Sequence, residues 1–195
     1  PVIGVSGKGI QVKADSQYIS LPCPAYGPQF EYDFWYNPGS AVAGVDLSIL
    51  GGVALGSNGD KGGVAFSMYG GNNRLYFDIY SSTMRYALNF NGFSLLQGTH
   101  FWTLQYDGNT LKVYRDAILI ASNTIGAVTI DITGSPTLFL GSTTAKYTNG
   151  TGWMDEVMRF EKAHTESEIR GLYLAKSLPK QYTLTDWQME QMASD

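Results

Sequence analysis

The segment Phe101-Trp-Thr-Leu-Gln-Tyr-Asp-Gly-Asn-Thr-Leu-Lys-Val-Tyr-Arg115 limits the folds open to this chain more than any other stretch. Apolar and polar residues alternate on both sides of Asp107-Gly108. A period of two sends successive side chains to opposite faces of a strand, and an Asp-Gly pair between two such runs is a strong hairpin signal. A helix, which repeats every 3.6 residues, cannot satisfy that pattern. The same alternation runs through 30–37. Phe30, Tyr32, Phe34 and Tyr36 share one face there, and Glu31, Asp33, Trp35 and Asn37 share the other. Pro38 has no N–H to give a ladder and ends the strand.

Further strands are expected at 45–50, 64–69, 74–80, 84–90, 118–121, 138–140 and 154–160. The runs 10–13 and 18–21 read as a first hairpin. The glycine-rich stretch 56–63 reads as a loop, and Gly70-Gly-Asn-Asn73 and Asp116-Ala117 as tight turns. One helix start stands out. Thr165-Glu-Ser-Glu168 is a capping box, followed by Ile169, Leu172 and Tyr173 at helical spacing. The expectation is one all-β sandwich domain over 1–178 with one short helix near its C-terminus. The tail 179–195 carries Tyr182, Leu184 and Trp187, and is expected to pack on the domain or to dock to a partner. At 195 residues the chain suits a single sandwich.

Composition removes several function classes. The net charge is −4 with no basic patch, which argues against a nucleic-acid partner. No stretch approaches the ~20 apolar residues that insert into a bilayer. Cys23 is the single cysteine, so an internal disulfide is impossible, and a packing role is expected for it. The opening Pro-Val-Ile-Gly lacks a signal-peptide pattern: either a signal was removed or none was used, and the N-terminal Pro fits a Met-Pro start processed in a cytoplasm, while a module cut from a larger secreted enzyme would also show no signal.

The order of three motifs resembles the concanavalin A-like lectin/glucanase superfamily, in particular its laminin G-like jelly-roll branch. Gly7-Lys-Gly-Ile-Gln-Val-Lys-Ala-Asp-Ser-Gln-Tyr-Ile-Ser-Leu-Pro22 is similar to that family's first hairpin. Phe101-Trp102 through Tyr106-Asp-Gly108 to Tyr114-Arg-Asp116 is similar to its paired hairpins, with Ala117 where a second glycine is usual. Gly152-Trp-Met-Asp-Glu-Val-Met-Arg-Phe160 and the helix from Thr165 are similar to its closing strand and trailing helix. The resemblance covers roughly 4–174. It implies a jelly roll of two antiparallel sheets, each of about six or seven strands. It also implies binding, often of glycans, with no single shared activity.

Two sites follow as expectations. The resemblance implies a structural Ca²⁺ held by Asp155 on the closing strand and Asp15 in the first hairpin, with Asp155 capping a turn or pairing with a nearby Arg or Lys as the alternative. The strand alternation suggests an open outward face bearing Glu31, Asp33, Trp35 and Asn37, with Thr103 and Gln105 beside them and a third row of Tyr76, Asp78 and Tyr80 near Arg85. Aromatic rings can stack on sugars while Asp, Asn and Gln meet hydroxyls. The same surface also suits a protein partner or a homo-oligomer.

Catalysis has less support. Glu31-Tyr-Asp33 resembles the paired-carboxylate strand of laminarinase-type glucanases. Those enzymes add a third acid soon after, where this chain has Trp35 and Asn37. Neither His100 nor His164 has a ligand at metal spacing. Three readings stand: a lectin-like binding module, a bacteriophage virion protein that decorates a capsid or forms a fibre, and a divergent glycoside hydrolase.

Overall fold

The computed structural model describes residues 10–12, 19–22, 25–39, 46–52, 54–56, 59–61, 63–69, 72–130, 137–141 and 152–177. In chain order the strands are β1 (Ile10–Val12), β2 (Ile19–Pro22), β3 (Phe30–Asn37), β4 (Leu47–Gly51), β5 (Ala54–Gly56), β6 (Gly59–Lys61) and β7 (Gly63–Tyr69). They continue as β8 (Arg74–Tyr80), β9 (Arg85–Asn91), β10 (His100–Tyr106), β11 (Thr110–Arg115), β12 (Ile118–Thr124), β13 (Thr137–Leu140) and β14 (Gly152–Phe160). The helices are α1 (Phe93–Leu96) and α2 (Glu166–Ser177). One sheet runs β1-β14-β3-β10-β11-β12 and the other β2-β13-β4-β7-β8-β9. All their pairings are antiparallel.

The hairpin at the centre of the chain forms as the alternation requires. Asp107 Oδ1 accepts the backbone N–H of Asn109 at 3.0 Å and of Thr110 at 2.8 Å, and Gly108 takes φ +96°. The next turn is carried by Asp116 and Ala117, both left-handed at φ +53° and +60°. That hand costs a non-glycine residue about 1–2 kcal/mol. Asp116 offsets part of it, because its Oδ1 accepts the N–H of Phe101 at 3.1 Å and its Oδ2 meets His100 Nδ1 at 2.7 Å.

The inward faces make the core. Phe30, Tyr32, Phe34 and Tyr36 from β3 and Trp102, Leu104 and Tyr106 from β10 meet Phe66, Met68, Leu75, Phe77 and Ile79 of the facing sheet. Rings touch across the layers: Phe34 with Phe66 at 6.2 Å, Phe66 with Trp102 at 5.4 Å, and Phe30 with Phe77 at 6.4 Å. Each large apolar side chain buried this way contributes about 1.5–3 kcal/mol.

Three expectations need correction. β1 and β2 do not form a hairpin, since β1 pairs with β14 and β2 with β13, in opposite sheets. Alternation marks a strand but not its partner, and each of these strands takes the outer edge of a different layer. The stretch read as a loop at 56–63 contains β6, which pairs with β5 in a small ribbon. A single turn of helix, α1, precedes β10, and no cap signalled it.

α2 starts as its capping box dictates. Thr165 Oγ1 accepts the N–H of Glu168 at 3.3 Å, and Glu168 Oε2 accepts the N–H of Thr165 at 2.7 Å. That N–H, the Thr165 hydroxyl and Lys162 hold the Glu168 carboxyl down at about 2. Ile169 is fully buried, and Tyr173 stands 6.0 Å from both Trp35 and Phe101. The helix therefore lies on the outer face of the β3–β10 sheet.

Candidate functional site

The expected outward residues divide between two opposite surfaces. Glu31, Asp33, Trp35 and Asn37 lie on β3 and Gln105 on β10, in one sheet. Tyr76, Asp78 and Tyr80 lie on β8, in the other. The outer faces of a sandwich point in opposite directions, so these residues cannot line one groove. On β8, Asp78 Oδ2 accepts a hydrogen bond from Arg85 at 2.8 Å and is almost wholly buried, as is Tyr80. Tyr76 packs edge-on to Tyr69 at 6.1 Å, lies under the Arg85 guanidinium at 5.4 Å, and accepts from Asn72 Nδ2 at 2.9 Å.

On the first sheet, Glu31, Asp33 and Gln105 are sealed, which corrects their reading as an open face. Glu31 and Asp33 are 0 % exposed and Gln105 1 %. The lead-in to α2 closes over them. Glu31 Oε1 meets His164 Nδ1 at 2.7 Å, and Glu31 Oε2 accepts from Gln105 Nε2 at 2.6 Å and from the His164 backbone at 3.1 Å. Gln105 Nε2 also donates to the His164 carbonyl at 2.8 Å. Asp33 Oδ1 accepts from Thr103 Oγ1 at 2.5 Å, while Asp33 Oδ2 is buried without a donor. Burial first, and then the neighbouring Glu31 charge, push the Asp33 carboxyl up to about 8. Asn37 is engaged locally, donating to Thr99 Oγ1 at 2.9 Å and accepting from the Gly39 N–H at 2.7 Å.

Trp35 behaves differently. It lies past the sealed pair, opposite Phe101 on one side and Asp155 on the other, and Trp153 stands opposite Asn37. An open cleft of about 360 Å³ forms between β3, β14 and the C-terminal half of α2. Its walls are Trp35, Trp153, Asp155, Glu156, Tyr173 and Lys176. Two indoles and a phenol thus face a short polar row. Asp155 Oδ1 accepts the Glu156 N–H at 2.8 Å, and Lys176 Nζ lies 3.2 Å from Glu156 Oε2.

Sequence reasoning reached Trp35 and Asp155 but not their neighbours. Trp153 was within reach, because it lies two residues before Asp155 on the same face of a strand. Tyr173 and Lys176 are three apart on one helix face. Glu156 gave no usable signal, since alternation sends it into the core. A β-bulge between Asp155 and Met158 turns it out instead, with Glu156 at φ +49°.

The calcium expectation finds only part of a cage. Asp15 lies outside the described residues. Among the described residues no group of three His, Cys, Asp or Glu side chains gathers. Asp155 has one oxygen turned back on its own bulge, and Glu156 is already met by Lys176. Calcium takes 6–8 oxygens, which these residues do not supply. Melting with millimolar calcium against melting with a chelator tests the expectation. A midpoint several degrees higher with calcium would show a cage that other residues complete.

Comparisons with known proteins place the fold. A family model described as the concanavalin A-like lectin/glucanases superfamily matches residues 13–170. Among curated proteins, none matches this sequence. Of the solved structures, the ligand-binding domain of botulinum neurotoxin serotype D, in complex with N-acetylneuraminic acid, superposes with a TM-score of 0.68. It is 14% identical and covers 90% of this chain and 44% of its own. The binding domain of botulinum neurotoxin DC in complex with SialylT gives 0.59, at 15% identity, covering 75% of this chain and 35% of its own. The same domain in complex with rat synaptotagmin II gives 0.57, at 14% identity, with 75% and 35% covered. This chain spans less than half the length of each of these structures. No described helix is long and apolar enough to cross a membrane.

Proposed function

The chain belongs to the concanavalin A-like lectin/glucanase superfamily, and from that premise we propose that it is a non-catalytic carbohydrate-binding module whose ligand seats in the Trp35–Trp153–Tyr173 cleft. The observation that carries this reading is the convergence of three aromatic rings and three charged side chains around one open volume. Apolar ring faces suit the C–H faces of a pyranose, and fixed polar groups orient its hydroxyls. The solved neighbours bound to N-acetylneuraminic acid and to SialylT support a glycan ligand. The neighbour solved with rat synaptotagmin II supports a protein surface as the other kind of partner. The carboxylate pair on β3 has no open approach for a polysaccharide, and this supports binding over hydrolysis. A virion protein would use the same cleft and differ in what the rest of the chain is built into.

A glycan array tests the proposal. Wild type is expected to bind a defined set of oligosaccharides, and Trp153→Ala to bind them about 10- to 100-fold more weakly, as loss of a central aromatic anchor does. Trp153 is half-buried at the cleft wall rather than in the core, so the variant is expected to melt close to wild type. Wild type that binds no glycan would sink the reading.

A further inference from the structure

The charge balance of the cleft points to a class of sugar. Its lining holds two carboxylates, Asp155 and Glu156, and one cation, Lys176. Lys176 is not free to receive an anion, because its ammonium lies 3.2 Å from Glu156 Oε2. Asp155 spends Oδ1 on the Glu156 N–H and keeps Oδ2 without a hydrogen-bond partner among the described residues. The cleft therefore offers a carboxylate acceptor to a ligand hydroxyl and no unpaired ammonium to a ligand carboxylate.

The local backbone reinforces this placement. Regular alternation would leave one outward carboxylate here. The bulge adds the second by holding Glu156 at φ +49°, a left-handed conformation that a non-glycine residue seldom adopts. Lys176 reaches Glu156 from the last turn of α2, where a cation also suits the helix dipole. The pair thus joins α2 to the bulge of β14 at this cleft.

We propose that the cleft selects uncharged sugars and rejects sugars that carry a carboxylate, sialic and uronic acids included. This rests on the carbohydrate-binding reading and gives it a direction opposite to the sialylated ligands of the solved neighbours. Like charges a few ångströms apart at a half-exposed site cost about a factor of ten in affinity, and salt screens the effect.

The test is an array on which each neutral oligosaccharide is printed beside its sialylated or uronate counterpart. Wild type is expected to prefer the neutral member about tenfold at low salt and less at 0.5 M NaCl. Glu156→Gln removes one carboxylate and releases Lys176, so the preference is expected to fall to about threefold or below. Lys176→Gln is expected to widen it. Equal or tighter binding of the anionic members by wild type overturns this inference and leaves the carbohydrate-binding reading standing. A neutral preference that neither variant moves also overturns it, because the discrimination would then not be electrostatic at this site. Wild type that binds no glycan overturns both.

Discussion

Asp33→Asn is expected to stabilise the protein at pH 8 by about 2–4 kcal/mol, or about 5–15 °C in the melting midpoint of a chain this size. Asp33 is sealed beside Glu31, and its carboxyl is pushed from an ordinary 3.8 up to about 8. Between those values the folded state holds a proton that the unfolded chain releases. The sign follows from this. The contribution of Asp33 is fullest below pH ~4 and is lost progressively as pH rises through about 8. Asparagine has the shape of the protonated acid. Its Oδ1 can still accept from Thr103, and its Nδ2 has no proton to release in this pH range. The gap between variant and wild type should therefore be small near pH 4 and widen towards pH 8. Thermal melts of both proteins from pH 4 to 9 check this, and parallel curves would mean that Asp33 is charged in the fold. Glu168 acts in a different window, since its contribution is lost as pH falls from about 4.5 through about 2.

Gly152→Ala is expected to cost more than 3 kcal/mol and to lower the yield of folded protein. Gly152 opens β14 at φ +110°, a conformation open almost only to glycine. A Cβ there would collide with the Asn37 carbonyl oxygen and lie 2.8 Å from Pro38 Cα. Both contacts are backbone, so no side chain can turn aside to relieve them. The damage falls where β14 joins β3, and this junction also places Trp153 and Asp155. Denaturant unfolding measures the loss. A variant within 1 kcal/mol of wild type would show that the strand shifts to make room.

The layered architecture was legible because it depends on period and on punctuation. Phe30–Tyr36 and Trp102–Tyr106 alternate, Asp107-Gly108 turns, and Thr165–Glu168 caps, and all of these are local signals. Pairing was less legible. The 10–12 and 19–22 runs sit close in sequence, yet open edges in opposite sheets claim them. The site was half legible for a related reason. Alternation correctly put Glu31, Asp33 and Trp35 on one outer face, but it cannot say that the segment at His164 returns to seal Glu31 while Trp35, beside Tyr173, still borders an open cleft. Glu156 broke the period, and Tyr173 and Lys176 lie on a helix more than a hundred residues from Trp35.

That distance has a consequence for any ligand. One wall of the cleft belongs to β3 and β14 and the other to α2, which is held to the sheet by Ile169, Tyr173 and the His164–Glu31 pair. A sugar bound between them acts as a clamp, since its contacts exist only while the helix is docked. Its apparent affinity is the intrinsic affinity scaled by the docked fraction. Substitutions in the sealed polar cluster, which never touch the ligand, can therefore tune binding from beneath.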